Sequence, residues 1–176
     1  KGIGVNQVDN SKAVEWYRKS ADQNYAPAQN NLADYYYEGN AVKQDYMKAV
    51  DLYRKSAEQG VAEAQFSLGN CYFEGKGVDQ DYSHAMEWFF KADAQNNTDA
   101  QNGLGLCYYN GYGVDQDYVK AVEYFTKAAE QGHVMSQTYL GICYYNGYGV
   151  EQDYAKAAEW YHKSAEQGML VSQRNL

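Results

Sequence analysis

The chain repeats itself every 36 residues, and a period of that length leaves few folds open. Ala13, Ala49, Ala85, Ala121 and Ala157 share one column of the repeat, and Leu32, Leu68, Leu104, Leu140 and Leu176 share another. Tyr36, Tyr72, Tyr108 and Tyr144 form a third. The units that begin at Ala100 and Ser136 agree at 22 of 36 positions. The one slip is an extra residue between Val5 and Asp9, in a loop, where insertions are tolerated. A unit this short cannot bury its own apolar face, so neighbouring units must stack to form a continuous core. Comparing copies within the chain separates framework columns from free ones.

Each unit reads as two helices, which makes the chain all-α. The first runs from about Ala100 to Asn110, with Leu104 and Tyr108 on one face, and stops at Gly111, a residue suited to the left-handed C-terminal cap. The second opens at Asp117, an N-cap residue that recurs as Asp9, Asp45, Asp81 and Asp153. It carries Ala121, Phe125 and Ala128 as a stripe for burial and ends at Gly132, in a column that reads Asn24, Gly60, Asn96, Gly132, Gly168. Asn and Gly are the residues that best tolerate positive φ, so this column is a C-cap. The resulting array covers 1–176: a half repeat at 1–24, repeats at about 25–60, 61–96, 97–132 and 133–168, and the start of another at 169–176.

Ala33, Gly69, Gly105 and Gly141 lie inside the first helix, where Gly costs about 1 kcal/mol relative to Ala. Because Ala33 is accepted, small size is the requirement, and close approach of the paired helix is its reason. Gly105→Leu is expected to overpack the seam, and Gly105→Ala to be nearly neutral or stabilising.

The pattern Ala100-x-x-x-Leu104-Gly105-x-x-Tyr108-x-x-Gly111-x-Gly113-Val114-x-x-Asp117-x-x-Lys120-Ala121, closing on Ala129-Glu130-Gln131-Gly132, resembles the Sel-1-like repeat, a relative of the tetratricopeptide repeat. The resemblance covers the whole chain. Asn40-Ala41, His84 and Asp93 are mild departures from it. It implies an α/α solenoid, a right-handed superhelix of antiparallel helix pairs with the first helices lining the concave side, used in protein–protein interaction. A cysteine-rich subfamily associated with penicillin binding pairs two Cys per repeat, whereas this chain supplies one, so that property does not carry over.

Residue chemistry excludes several other functions. A net charge of -8 argues against a nucleic-acid surface, which needs clustered Lys and Arg. No run approaches the roughly 18 apolar residues of a membrane span, and no leader opens the chain. A soluble protein is expected, its compartment undetermined and any leader outside this fragment. Cys71, Cys107 and Cys143 occupy one column on successive layers roughly 8–10 Å apart, too far for a disulfide, and read as small buried thiols. They lack His or Cys partners at metal-ligand spacing, and no metal or cofactor is expected. His84, His133 and His162 fall in three different columns and read as surface residues. The Gly-x-Gly loops lack the Lys-Ser/Thr of a P-loop and read as turns, and Asp115-Gln116-Asp117 lacks the Gly and Glu that complete a calcium loop. Asn96-Asn97-Thr98 fits a glycosylation pattern once. With no acid–base pair, nucleophile or metal set in any column, an enzyme is not expected.

The far face of the first helix is the exception to these bland readings. Opposite Leu104 and Tyr108 lie four columns: Asn30, Phe66, Asn102, Thr138; Asp34, Asn70, Leu106, Ile142; Tyr37, Phe73, Tyr109, Tyr145; and Glu38, Glu74, Asn110, Asn146. Variable side chains and a constant aromatic over an invariant frame describe a binding groove, since Tyr offers large contact area at low entropic cost. Asp34, Glu38 and Glu74 make its N-terminal end acidic and Leu106 and Ile142 its other end apolar, which suits a protein or peptide with a basic segment. The alternative is a structural spacer or oligomerisation segment of a longer solenoid, whose apolar ends would allow end-to-end self-association. A more distant alternative is a weak binder of small, β-lactam-like molecules.

Overall fold

The structure, a computed structural model, describes residues 10–168. The N-cap expected at Asp9, the loop slip after Val5, Leu176 and the start of a repeat at 169–176 lie outside the described residues. Among the described residues there are nine helices and no strand: α1 (Asn10–Asp22), α2 (Ala26–Glu38), α3 (Tyr46–Glu58), α4 (Ala62–Glu74), α5 (Tyr82–Asp93), α6 (Thr98–Asn110), α7 (Tyr118–Glu130), α8 (Val134–Asn146) and α9 (Tyr154–Glu166). The even-numbered helices are the first helices of each repeat and the odd-numbered the second. The fold is the all-α solenoid that the 36-residue period dictates.

The helix boundaries follow from the capping chemistry read in the sequence. Asp45, Asp81, Asp117 and Asp153 each accept the backbone N–H three residues on, at 2.9–3.1 Å, satisfying one of the orphan donors of the first turn. Gly39, Gly75, Gly111 and Gly147 close the first helices at φ 70–75°. The column Asn24, Gly60, Asn96, Gly132, Gly168 takes positive φ throughout.

Packing separates the described residues into two compact units, one up to Gln80 and one from Asp81. In the first, α1 packs on α2, α2 on α3 and α3 on α4; in the second, α5 through α9 pack in the same consecutive way. Short connections between apolar faces make consecutive helices antiparallel neighbours. The core is the set of framework columns: Leu32, Leu68, Leu104 and Leu140 are buried, as are Ala49, Ala85, Ala121 and Ala157 and the rings of Tyr53, Phe89, Phe125 and Tyr161. Cys71, Cys107 and Cys143 are free and buried, and burial pushes each thiol up to about 12, so they are not thiolates at neutral pH.

The small column faces a ring rather than a backbone. A Cβ on Gly105 would lie 2.5 Å from Cδ1 and Cε1 of Phe125, and one on Gly141 would lie 2.5 Å from Cε1 of Tyr161. Close approach is therefore correct as the reason for the column, but the near-neutrality expected of Gly105→Ala is not, because Phe125 is itself fully buried. Ala33 is admitted in a copy whose ring is Tyr53, with its hydroxyl donating to Asp34 Oδ1 at 2.6 Å.

A buried polar column runs beside this core. Gln29, Gln101 and Gln137 accept at Oε1 from Gln59, Gln131 and Gln167, each 30 residues on, at 2.8–2.9 Å. Their own amides are held by the Ala21 carbonyl, Asn96 Oδ1 and the Ala129 carbonyl. Paired in this way, a buried carboxamide carries no unmet hydrogen-bonding cost. Asn96, which carries the glycosylation pattern, is exposed, and its side chain bonds to Gln101 and Gln131.

Candidate functional site on the first helices

The aromatic column sits at the C-terminal end of each first helix, and the loop that follows pins it there. Gln44, Gln80, Gln116 and Gln152 donate from Nε2 to the carbonyls of Tyr37, Phe73, Tyr109 and Tyr145 at 2.7–2.9 Å. Tyr37, Tyr109 and Tyr145 each meet the Tyr that opens the paired second helix. Tyr37 lies edge-on to Tyr46, Tyr109 to Tyr118 and Tyr145 to Tyr154, with centroids 5.2, 5.2 and 5.3 Å apart and ring planes 64–71° apart. That is the preferred geometry for two ring quadrupoles. None of the four aromatics is fully buried: Tyr37, Phe73 and Tyr109 are partly exposed and Tyr145 is 52% exposed.

In the first unit the face is closed by its own charges. Tyr37 donates to Glu74 Oε2 at 2.8 Å, and Lys76 places its ammonium 2.7 Å from the same oxygen and 3.1 Å from the Tyr37 hydroxyl. The ammonium also lies over the rings of Tyr37 and Tyr46. Burial alone would raise the Glu74 carboxyl, but the bonds from Lys76 and Tyr37 outweigh it and hold it below the usual carboxylate value. The same arrangement raises Lys76. Asp34 is half-buried, accepts from Tyr53, and is raised by burial. Of the three carboxylates expected to make this end acidic, Glu74 is neutralised within the fold and Asp34 is turned inward. Glu38 stands exposed. Asn30, Phe66, Asn70 and Phe73 are partly buried on the same helices, and Asn30 Oδ1 is buried without a hydrogen-bond partner.

In the second unit the column is aromatic rather than ionic. Tyr109 is surrounded by Tyr118, Phe125, Tyr139 and Tyr148, with centroids within 6.2 Å, and burial pushes its hydroxyl up to about 12. Leu106 and Ile142 are partly exposed, whereas Asn110 and Asn146 are exposed and donate back to the carbonyls of Leu106 and Ile142. Thr138 does not belong to an open face: it is 5% exposed, with its hydroxyl 2.7 Å from Ser164 Oγ and 3.2 Å from the Val134 carbonyl. Asn102 does not simply point outward either, since its Oδ1 accepts from the buried Ser136 hydroxyl at 3.0 Å.

Two sets of residues that sequence reasoning passed over take part in the site. One is the opening Tyr of the second helix, Tyr46, Tyr82, Tyr118 and Tyr154; its recurrence in four copies was the available signal. The other is the middle residue of the Gly-x-Gly loop. Tyr112 stacks on Tyr82 and Tyr148 on Tyr118, both at 4.8 Å, and Lys76 takes the matching place in the first unit.

His84 and His162 are exposed, as read from the sequence, but His133 is not a surface residue. It caps α8, its Nδ1 accepting the Ser136 amide, while its Nε2 lies 3.2 Å from Asp99 Oδ1 and the ring is largely covered. Ser136 Oγ lies 2.9 Å from the same Nδ1, so Asp99, His133 and Ser136 form a chain of the residue types used in nucleophilic hydrolysis. Geometry gives it a structural role: Ser136 is 0% exposed, and a nucleophile must reach its substrate. No group of three or more His, Cys, Asp or Glu among the described residues is placed to hold a metal ion. No helix among them is long and apolar enough to cross a membrane.

Comparison with known proteins agrees with this architecture. The Sel1 repeat model matches five times, at residues 1–25, 26–61, 62–97, 98–133 and 134–169. Among solved structures, a protective antigen of uropathogenic Escherichia coli strains displaying an SLR fold is 41% identical, with a TM-score of 0.86 over 94% of this chain and 35% of that one. A Sel1 repeat protein from Oxalobacter formigenes is 35% identical, with a TM-score of 0.88 over 92% of this chain and 64% of that one. The chain thus spans less than two thirds of either. An immunity protein from Pseudomonas aeruginosa is 28% identical, with a TM-score of 0.61 over 90% of this chain and 59% of that one. A search of the curated proteins found no match. Matched along nearly its whole length by consecutive repeats, the chain belongs to the Sel1 repeat family.

Proposed function

We propose that the chain is a non-catalytic scaffold that binds a protein or peptide on the face of its first helices, with the repeats acting as one array. The observation that carries this reading is the aromatic column: Tyr37, Phe73 and Tyr109 each keep part of their surface exposed on helices whose Leu and Cys columns are buried. Exposed Tyr on a rigid helix gives contact area with few rotamers to freeze, which is how an anchor residue works. The variable position three residues before each aromatic, Asn70, Leu106 and Ile142, supplies selectivity, and the net charge of -8 favours a partner with a basic segment. The likeness to an immunity protein supports a protein partner.

The test is a random peptide display selection against the protein, with every selected peptide measured again on the Tyr145→Ala variant. Binding weaker by about 1–3 kcal/mol, with an unchanged thermal unfolding midpoint, is the expected outcome. Selected peptides indifferent to Tyr145, or none at all, would favour a purely structural role within a longer solenoid.

A further inference from the structure

The second helices carry an aromatic column of their own, and one copy breaks it. Trp16, Trp88, Tyr124 and Trp160 share that column with Leu52, and three residues after each stands a lysine: Lys19, Lys91, Lys127 and Lys163 in the aromatic copies, Lys55 in the other. In the aromatic copies the lysine lies over the ring, its ammonium 3.7–4.9 Å from the centroid. Where the ring is missing there is a cavity of about 340 Å³, walled by α1, α2 and α3. Ala21 and Leu32, both buried, and the half-buried Leu52 give it an apolar floor, while Asp22, Asn24 and Lys55 stand exposed at its rim. The amide of Gln29, on the same wall, is already bonded to the Ala21 carbonyl and to Asn24, so it demands no polar partner from an occupant. In the second unit the chain fills the equivalent place itself: Lys127 lies over Tyr124 and reaches Asp93, the position of Ala21, at 3.9 Å.

We propose that this cavity is a second binding site, separate from the first-helix face, and that it takes one aromatic side chain, Trp or Tyr, from a protein partner. A ring placed there is covered by Ala21, Leu32 and Leu52 and loses apolar surface to water. Lys55 then has what its four equivalents have, a ring face to which an ammonium is drawn. The volume is at the low end for a ligand pocket and suits a single side chain. The charged rim stays in water beside the partner's backbone, and in the other copies the ring likewise arrives on a polypeptide. Leu52 is therefore the residue that opens the site, and Lys55 the one that selects an aromatic over an aliphatic group.

The probes are an acetylated, amidated Ala-Trp-Ala tripeptide, its Ala-Leu-Ala counterpart and free indole, followed by the methyl chemical shifts of Ala21, Leu32 and Leu52 in the full chain. The tryptophan peptide is expected to bind about threefold or more tightly than the leucine peptide and to weaken about two- to fivefold in Lys55→Gln. It is expected to be lost in Leu52→Trp, which supplies the ring from within. That variant is expected to fold with a melting midpoint at or above the parent's, since the column holds Trp in three other copies. Equal binding of the two peptides, or tryptophan-peptide binding unchanged in Leu52→Trp or in Lys55→Gln, would overturn the site. Binding of indole without the tryptophan peptide would overturn a partner's side chain as the occupant. Because the probes need no natural partner and report on another side of α2, this site stands or fails separately from the display selection that tests the scaffold reading.

Discussion

At position 105 the absence of a side chain is a packing requirement. The ring of Phe125 occupies the space a Cβ would take, and Phe125 has no exposed surface into which to swing. Gly105→Ala therefore destabilises by about 1–3 kcal/mol despite its gain in helix propensity, a loss readable in a denaturant titration; an unchanged midpoint would mean that the ring gives way. Leu104→Ala, beside it, leaves a cavity and costs about 2–5 kcal/mol. The sequence showed that the column must be small but not which atom makes it so, because the ring arrives from a helix 20 residues away. Asp34 offers a second test. Its carboxyl is raised by burial, so its proton is held more tightly in the folded state, and this residue's contribution to stability is greatest below the ordinary carboxylate range and falls as pH rises through the raised value. Asp34→Asn keeps an acceptor for the Tyr53 hydroxyl and removes the buried charge. Thermal stability of the variant is expected to exceed that of the parent at pH 7 and to converge with it near pH 3; a constant difference across that range would refute the linkage.

Between the helices, two loop glycines share a positive φ but serve different ends. Gly132 follows α7 at φ 91° with nothing within 4 Å of where a Cβ would go, so Gly132→Ala incurs only left-handed strain, about 1–2 kcal/mol. Gly113 stands at φ 70° with the backbone of Tyr82 and Ser83 2.8–2.9 Å from the equivalent point, because the loop of one repeat rests on the first turn of the second helix before it. Gly113→Ala is expected to destabilise clearly more than Gly132→Ala when both are melted side by side; equal losses would remove the stacking contact from the account. The turn itself was legible in Gly-x-Gly-Val, and its role in joining repeats was not, since a backbone contact 31 residues back leaves no trace in the local pattern.

Over the whole molecule, the charge of -8 acts on encounter rather than on contact. Association with a basic peptide is expected to slow with salt, and Glu38→Gln to slow it further with dissociation unchanged, as stopped-flow rates at several ionic strengths would show. Glu74→Gln belongs to a different class, because it releases Lys76 from its bridge; it is expected to perturb the Tyr37 ring and not merely the rate. The 36-residue period, the Asp caps, the left-handed termini and the buried Leu, Ala and Cys columns followed from the sequence alone, because each rests on chemistry local to a few residues or on a pattern that four copies repeat. Only the tertiary structure decided that Thr138 is buried, that His133 caps α8 against Asp99, that Glu74 is neutralised by Lys76, and that Tyr109 is ringed by Tyr118, Phe125, Tyr139 and Tyr148. Those outcomes depend on which side chain a neighbouring repeat brings to the same place, and helical periodicity gives the direction of a side chain but not what meets it there.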